Sequence, residues 1–279
     1  MCLGIDKLIR WLSIALGWFW GTIIRTRRAE MHARIKRRLR LNEHDSNALI
    51  HRVYRQMSAS LVEVLSGTVG GRLLDTTTVE GWAHLTKLHD CHDGFVVVTA
   101  HTGNWEILTH LDELCGIRGG FVSKRFSLSF FQRLLTWTRR RSLKAYDVEG
   151  DARILLQRLQ AGDSVGFAVD QHSNEAGAVS LKFLGEPAWW STAPARLARM
   201  AKVPIVPIRT FRRDGNHVID VHEPLIYQWT DVRGNDIREV TAWYASVIEN
   251  WVREKPEQWL WLHRRWKSRR LPTVRKVGS

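Results

Sequence analysis

Residues 96–108 read VVVTAHTGNWEIL, and this stretch decides how the chain is to be understood. The β-branched, apolar run 95–99 predicts a strand. Ala100 to Gly103 then turns the chain, Gly103 permitting backbone geometry that other residues resist. A helix is expected from Trp105 onward. The turn delivers His101, and a carboxylate, Glu106, follows five positions later. Histidine accepts a proton near neutral pH, and a carboxylate can orient its ring. Five residues at 100° each cannot share a helix face, so the two meet only if His101 precedes the helix and Glu106 reaches back from its first turns. Neither a cysteine nor a serine stands beside the pair, which favours a substrate hydroxyl or amine as the attacking group. The residues alone leave two readings open, a catalytic base and a structural histidine with a neighbour.

Outward from this stretch, helical and strand patterns alternate. Strands are expected at 120–123, 164–169, 205–209 and 217–222, and helices at 48–65, 105–114, 128–141, 152–160, 192–201 and 237–253. Asp214-Gly215 between two β-rich runs is a hairpin signal. The alternation predicts an α/β fold, a single domain with a mixed, mainly parallel sheet flanked by helices and an antiparallel addition late in the chain. In such sheets ligands bind beyond the carboxyl ends of the strands. Three features fall there: His101, the pair Lys124-Arg125, and Asp170-Gln171-His172. Lys124 and Arg125 suit a phosphate or carboxylate, arginine with the better bidentate grip, or else form a solvated edge. Asp170 suits a role orienting a cation or hydroxyl, or capping a neighbouring loop.

The formal charge of +14 is distributed unevenly. Residues 1–40 carry ten Lys/Arg against Asp6 and Glu30, and residues 264–279 carry seven Lys/Arg and no acid. Residues 41–263 are left with 25 basic and 26 acidic side chains, nearly neutral. An extended nucleic-acid groove would need cations on the body itself, so nucleic acid is not expected as a partner. Basic ends suit an anionic surface instead. Residues 11–24 read WLSIALGWFWGTII, fourteen without a charge. A bilayer span needs about 20 apolar residues, so this segment spans only if its flanks are recruited, and otherwise lies in the interface. An N-terminal hydrophobic membrane-anchor helix is therefore expected within 1–40, with its basic juxtamembrane segment, ahead of a catalytic domain over 41–279 that ends in a basic tail. Arginines following the apolar run would hold the body on the cytoplasmic side. Cys2, Cys91 and Cys115 have no disulfide or metal-ligand spacing, and neither cofactor nor metal is expected.

Several blocks, taken in order, resemble the bacterial lipid A biosynthesis (lauroyl/myristoyl) acyltransferases within the lysophospholipid acyltransferase superfamily. HTGNWE at 101–106 is similar to that superfamily's His-x4-acid motif. VSKR at 122–125 falls at the second block, VDQHSNEAGAVSLKFLGEPA at 169–188 resembles the third, and LARMAKVPIVPI at 197–208 the fourth. PEQWLWLHRRWKSR at 256–269 resembles the C-terminal signature. Trp189-Trp190 departs from the pattern, standing where smaller residues are usual.

The resemblance implies a glycerolipid-acyltransferase-like fold and an O-acyltransferase moving a fatty acyl chain from an acyl carrier protein thioester to a hydroxyl of a lipid A precursor. It implies His101 as general base oriented by Glu106, and Arg125 or Lys124 on an anionic headgroup. Asp170 and Asn104 would serve substrate binding. The implied setting is the cytoplasmic face of a bacterial inner membrane, with the acyl carrier protein, an anionic lipid acceptor and the membrane surface as partners. A lysophospholipid, an ornithine-type lipid or a glycosylated phospholipid is the alternative acceptor. A basic binding protein that tethers membrane or nucleic acid without catalysis is the reading from another class, and the near-neutral body argues against the nucleic-acid form.

Overall fold

The computed structural model describes residues 2–65, 72–90, 94–123, 146–147 and 152–267. Its strands, in chain order, are β1 (Thr78–Glu80), β2 (Phe95–Thr99), β3 (Gly119–Ser123), β4 (Tyr146–Asp147), β5 (Ser164–Ala168), β6 (Val179–Phe183), β7 (Glu186–Trp190), β8 (Ile205–Arg213) and β9 (Asn216–Val221). Seven of them form one sheet in the order β1-β9-β8-β2-β5-β3-β4, and β6 with β7 makes a separate hairpin. Within the large sheet only β8 and β9 run antiparallel, joined through Asp214-Gly215 as the sequence predicts. Every other pairing is parallel.

The helices are α1 (Cys2–Phe19), α2 (Arg28–Leu39), α3 (Glu43–Leu65), α4 (Arg72–Asp75), α5 (Trp82–Asp90), α6 (Leu111–Cys115), α7 (Ala152–Gln160), α8 (Ala193–Ala201) and α9 (Arg233–Glu254). They cover both faces of the sheet, which explains why β2 is apolar at successive positions. Val96 and Val98 pack into one core with α3, α8 and α9, while Phe95 and Val97 pack into a second with α5, α6 and Ile107. Burial of such a side chain contributes roughly 1.5–3 kcal/mol, so a central strand of this composition is held firmly from two sides. In α9, Ile237, Val240, Tyr244, Ile248 and Trp251 recur at helical spacing and are all buried.

Two expectations change. The helix expected over 105–114 is a 3₁₀ segment, Trp105–His110, followed by α6. Its start lacks a side-chain cap, and the Asn104 NH₂ donates to Glu63. The expected helix over 128–141 lies outside the described residues.

The expected membrane-anchor helix is overturned. No helix among the described residues is long and apolar enough to cross a membrane. The uncharged run is divided between α1, which also carries Asp6, Lys7 and Arg10, and a π-helical turn at Trp20–Ile24. Small residues explain the packing. Ser13 is buried, a Cβ on Gly17 would lie 2.8 Å from Arg55 Cα, and one on Gly21 would lie 2.9 Å from the Tyr54 ring. One side of α1 therefore rests on α3, and only the other presents Trp11, Leu12, Ile14, Trp18 and Phe19 outward.

Candidate active site

β2 and β5 are parallel neighbours in register, Thr99 opposite Ala168, and Val169 N–H donates to the Thr99 carbonyl at 3.0 Å. Both chains leave the sheet at the same edge, and the next residues on each side meet. His101 Nδ1 lies 2.7 Å from Asp170 Oδ1, and the His101 backbone N–H donates to Asp170 Oδ2 at 3.0 Å. Oδ2 accepts a further hydrogen bond from Trp259 Nε1–H at 2.8 Å. Asp170 is buried, whereas the His101 side chain keeps 18% of its surface exposed.

Burial alone would raise the Asp170 pKa. The charge of His101 and the hydrogen bonds from the His101 side chain, Trp259 and the His101 backbone outweigh it and hold the carboxyl at about 2. Asp170 is thus an anion at neutral pH, and its Oδ1 requires a proton on His101 Nδ1. That assigns the lone pair to Nε2, where Gln171 Nε2–H donates at 3.3 Å. A neutral imidazole with Nδ1 engaged and Nε2 accepting has the tautomer a general base needs.

The turn holding His101 is fixed from several elements. Gly103 has φ +55°, and a Cβ there would meet the Thr210 carbonyl oxygen at 2.6 Å, so the turn lies directly against β8. Thr210 Oγ1–H donates to the Thr102 carbonyl and Ser60 Oγ–H to the Gly103 carbonyl. Gly103 N–H donates to the Gln258 carbonyl and Leu260 N–H to the His101 carbonyl. Glu106 is buried in the 3₁₀ segment, its Oε1 accepting from Trp105 Nε1–H at 3.1 Å. The Trp105 ring stands edge-on to His101, centroids 5.1 Å apart. Asn104 is buried, and its amide donates to Glu63 Oε2 at 2.7 Å. Lys124 and Arg125 lie outside the described residues, just past β3, whose pairing with β5 is parallel.

Sequence reasoning did not assign several of these groups. Trp259 and Gln171 touch the His101–Asp170 pair directly. His263 feels both charges. Burial first, and His101 among the nearby cations, push its imidazole down to about 4 against the pull of Asp170, so it is neutral at pH 7. Behind the turn, Glu63 binds Arg212 at 2.7 Å and His217 at 3.3 Å. Burial raises the Glu63 pKa, but the Arg212 charge and the His217 hydrogen bond prevail and hold it at about 2. Cys115 is buried, its thiol pushed up to about 12, which makes it inert as a nucleophile. Trp190 is a core residue against Phe183 and Tyr244, with the Arg265 guanidinium 4.2 Å from its ring centroid.

The family model for "Bacterial lipid A biosynthesis acyltransferase" matches residues 2–268. The chain belongs to that family. As a member of the lipid A acyltransferases it is an acyltransferase. It is 32% identical over 144 residues to the lipid A biosynthesis lauroyltransferase of Escherichia coli (strain K12), a match covering 49% of this chain and 44% of that protein. It is 23% identical over 287 residues to the lipid A biosynthesis palmitoleoyltransferase of the same organism, covering 94% of this chain and 92% of the relative. A lipid A biosynthesis acyltransferase of Shigella flexneri is matched to the same extent.

Proposed function

We propose that this protein transfers a fatty acyl chain from an acyl carrier protein thioester to a hydroxyl of a lipid A precursor, working at the cytoplasmic face of an inner membrane. The observation that carries the mechanism is the His101–Asp170 pair, with Nδ1 engaged at 2.7 Å and Nε2 on the side of Gln171. The acceptor hydroxyl replaces the Gln171 amide at Nε2 and gives up its proton as its oxygen attacks the thioester carbonyl. The tetrahedral intermediate collapses, the C–S bond breaks, and the departing thiolate takes the proton back from Nε2. An ester and a free thiol result. Asp170 stabilises the transient imidazolium. Glu106 supports the same ring through Trp105, which it hydrogen-bonds and which packs on His101. Arg125, with Lys124 as its substitute, contacts the anionic headgroup. Positioned base catalysis of this kind contributes ~10²–10⁴-fold.

The acyl class and the acceptor class rest on the names of the relatives, lauroyl and palmitoleoyl transferases of lipid A biosynthesis. The surface setting is supported by the outward face of α1. Trp11 and Trp18 there are 69% and 60% exposed, and Ile23, Ile24 and the exposed Arg25 continue that face. The test is the purified full chain with acyl carrier protein thioesters and a panel of lipid acceptors, read by mass spectrometry. Lipid A precursor should gain one acyl group. Product with His101→Ala equal to wild type, or acylation of a lysophospholipid in preference to the precursor, would overturn the assignment.

A further inference from the structure

Past α9 the chain does not trail away from the sheet. Residues 256–266 cross the edge where His101 and Asp170 meet, and this strap pairs with the catalytic turn through Gln258, Trp259 and Leu260. Gln258 also exchanges two hydrogen bonds with the Arg212 backbone, at 2.7 and 2.9 Å, tying the strap to β8. Trp259 is 1% exposed. Three rings enclose its indole: Trp261 at 4.7 Å, Phe183 at 5.6 Å and Trp266 at 6.1 Å, all near perpendicular. An indole has one donor and no acceptor, and this one cannot swing away. It points at Asp170 Oδ2.

We propose that Trp259 is a positioning residue for the reaction, fixing the Asp170 carboxylate so that Oδ2 is occupied and Oδ1 alone faces His101 Nδ1. This rests on His101 acting as the base. With Oδ2 held by two N–H donors, the carboxylate cannot rotate to share Nδ1 between its oxygens, and the imidazole ring keeps one orientation. Removing the indole N–H leaves the buried anion with one donor fewer. Its negative charge is then less satisfied and attracts the His101 proton more strongly. Facing the pair from the strap are His263, neutral at pH 7, and the Arg265 guanidinium, both coupled to Asp170, with Glu106 beyond Trp105 on the 3₁₀ segment. Trp259→Phe alters none of them.

The experiment compares wild type, Trp259→Phe, Trp261→Phe and His101→Ala in the thioester assay across pH. In Trp259→Phe, kcat falls by about tenfold with KM for both substrates within about twofold, as expected for one lost charge-assisted hydrogen bond. The acid limb of its kcat/KM profile moves up by about half a pH unit or more. Trp261→Phe loses an indole N–H bonded to the Pro256 carbonyl and leaves that limb in place. An equal shift in both Trp variants, or an acid limb in Trp259→Phe that stays or moves down, overturns the proposal. His101→Ala separates the two levels. Activity retained there overturns the base assignment itself, whereas an inactive His101→Ala beside an unaltered Trp259→Phe overturns only the role of Trp259. Should Trp259→Phe fail to fold, indole ¹⁵N–¹H spectra give the second measurement. Among the 14 tryptophans, Trp259 should show the largest displacement in Asp170→Asn, and an unmoved resonance overturns the proposal.

Discussion

Replacing Asp170 by asparagine should abolish turnover with little change of shape, and the hydrogen bonds around it give the reason. Oδ2 accepts from two fixed donors, the His101 backbone N–H and Trp259 Nε1–H. An asparagine must keep its oxygen at that position, because an amide NH₂ there would face two donors at once. The NH₂ is therefore forced into the place of Oδ1 and donates to His101 Nδ1. The imidazole answers by carrying its proton on Nε2, the atom that must accept one. The wrong tautomer in a histidine–carboxylate pair costs ~10⁴ in kcat, a figure measured in serine proteases. That corresponds to about 5.5 kcal/mol of barrier. Stability should move far less. Asp170, held at about 2, contributes on the order of 2 kcal/mol at neutral pH, and the amide retains the two hydrogen bonds at its oxygen. Single-turnover acyl transfer from a radiolabelled thioester measures the chemical step, and thermal unfolding checks the fold. Raising the pH should not rescue the variant, since the tautomer is imposed by geometry. A folded Asp170→Asn within tenfold of wild type would refute the reasoning.

Other outcomes follow from the same structure. Glu63→Gln should lower stability at pH 7 by on the order of 3 kcal/mol, because the carboxylate is held at about 2 beside Arg212 and His217. A depressed folded pKa means that this contribution is complete above about pH 4.5 and is lost as pH falls towards 2. Urea titrations at pH 7 and pH 3 should therefore differ less in the variant than in wild type, and equal pH dependence would contradict this. Gly103→Ala places a Cβ against the Thr210 carbonyl and Phe211 Cα at a φ of +55°, so it should cost about 1–3 kcal/mol and lower the Tm by several degrees. An unchanged Tm would show that the turn does not lie against β8. Trp11→Ala with Trp18→Ala should weaken co-sedimentation with anionic vesicles at least tenfold while leaving the Tm within a few degrees, since both rings face outward.

Much of the sheet was legible because its strands are central and apolar. VVVT at 96–99 and the run at 205–208 are buried from both sides, and such runs leave few alternatives. Both the 208–221 hairpin and α9 were readable from turn residues and helical periodicity. The β6–β7 hairpin was not read, because its turn is Leu184-Gly185 with both residues at positive φ. Leucine is a poor signal for that geometry, whereas Asp214-Gly215 announced the equivalent turn plainly. At the site, His101 was evident as a histidine at a strand end, and Asp170 was noticed at another. Strand-end topology predicted that the two converge, but not their direct hydrogen bond, because 69 residues separate them and it depends on the parallel register of β2 and β5. The role of Trp259 was hidden for the same reason, in a segment legible as a motif but with no local pattern that aims an indole at Asp170.

Counting charges along the chain gives α2 and its flanks to an anionic surface, and the folded arrangement assigns several of those cations differently. Arg27 donates to the Leu262 carbonyl at 3.0 Å and Arg34 to the His263 carbonyl at 3.1 Å. Glu30 pairs with both Arg34 and Arg264. Arg37 and Arg38 both meet Glu186, and the Arg38 guanidinium lies over Trp266. Individually such pairs contribute little, a median of 0–1 kcal/mol when exposed. Glu186 holds Arg37 and Arg38 to β7, whereas Arg27, Arg34 and the Glu30–Arg264 pair attach α2 and its N-terminal flank to the strap that carries Trp259, the two arginines at backbone carbonyls that would otherwise need water. A run of arginine and lysine is thus two things at once. Arg25 and Arg40 remain exposed, the arrangement the charge count calls for, while the middle of the helix holds down the segment that closes over His101 and Asp170. A count of charge predicts the first use, but the second depends on a backbone more than 200 residues away, which no local pattern contains.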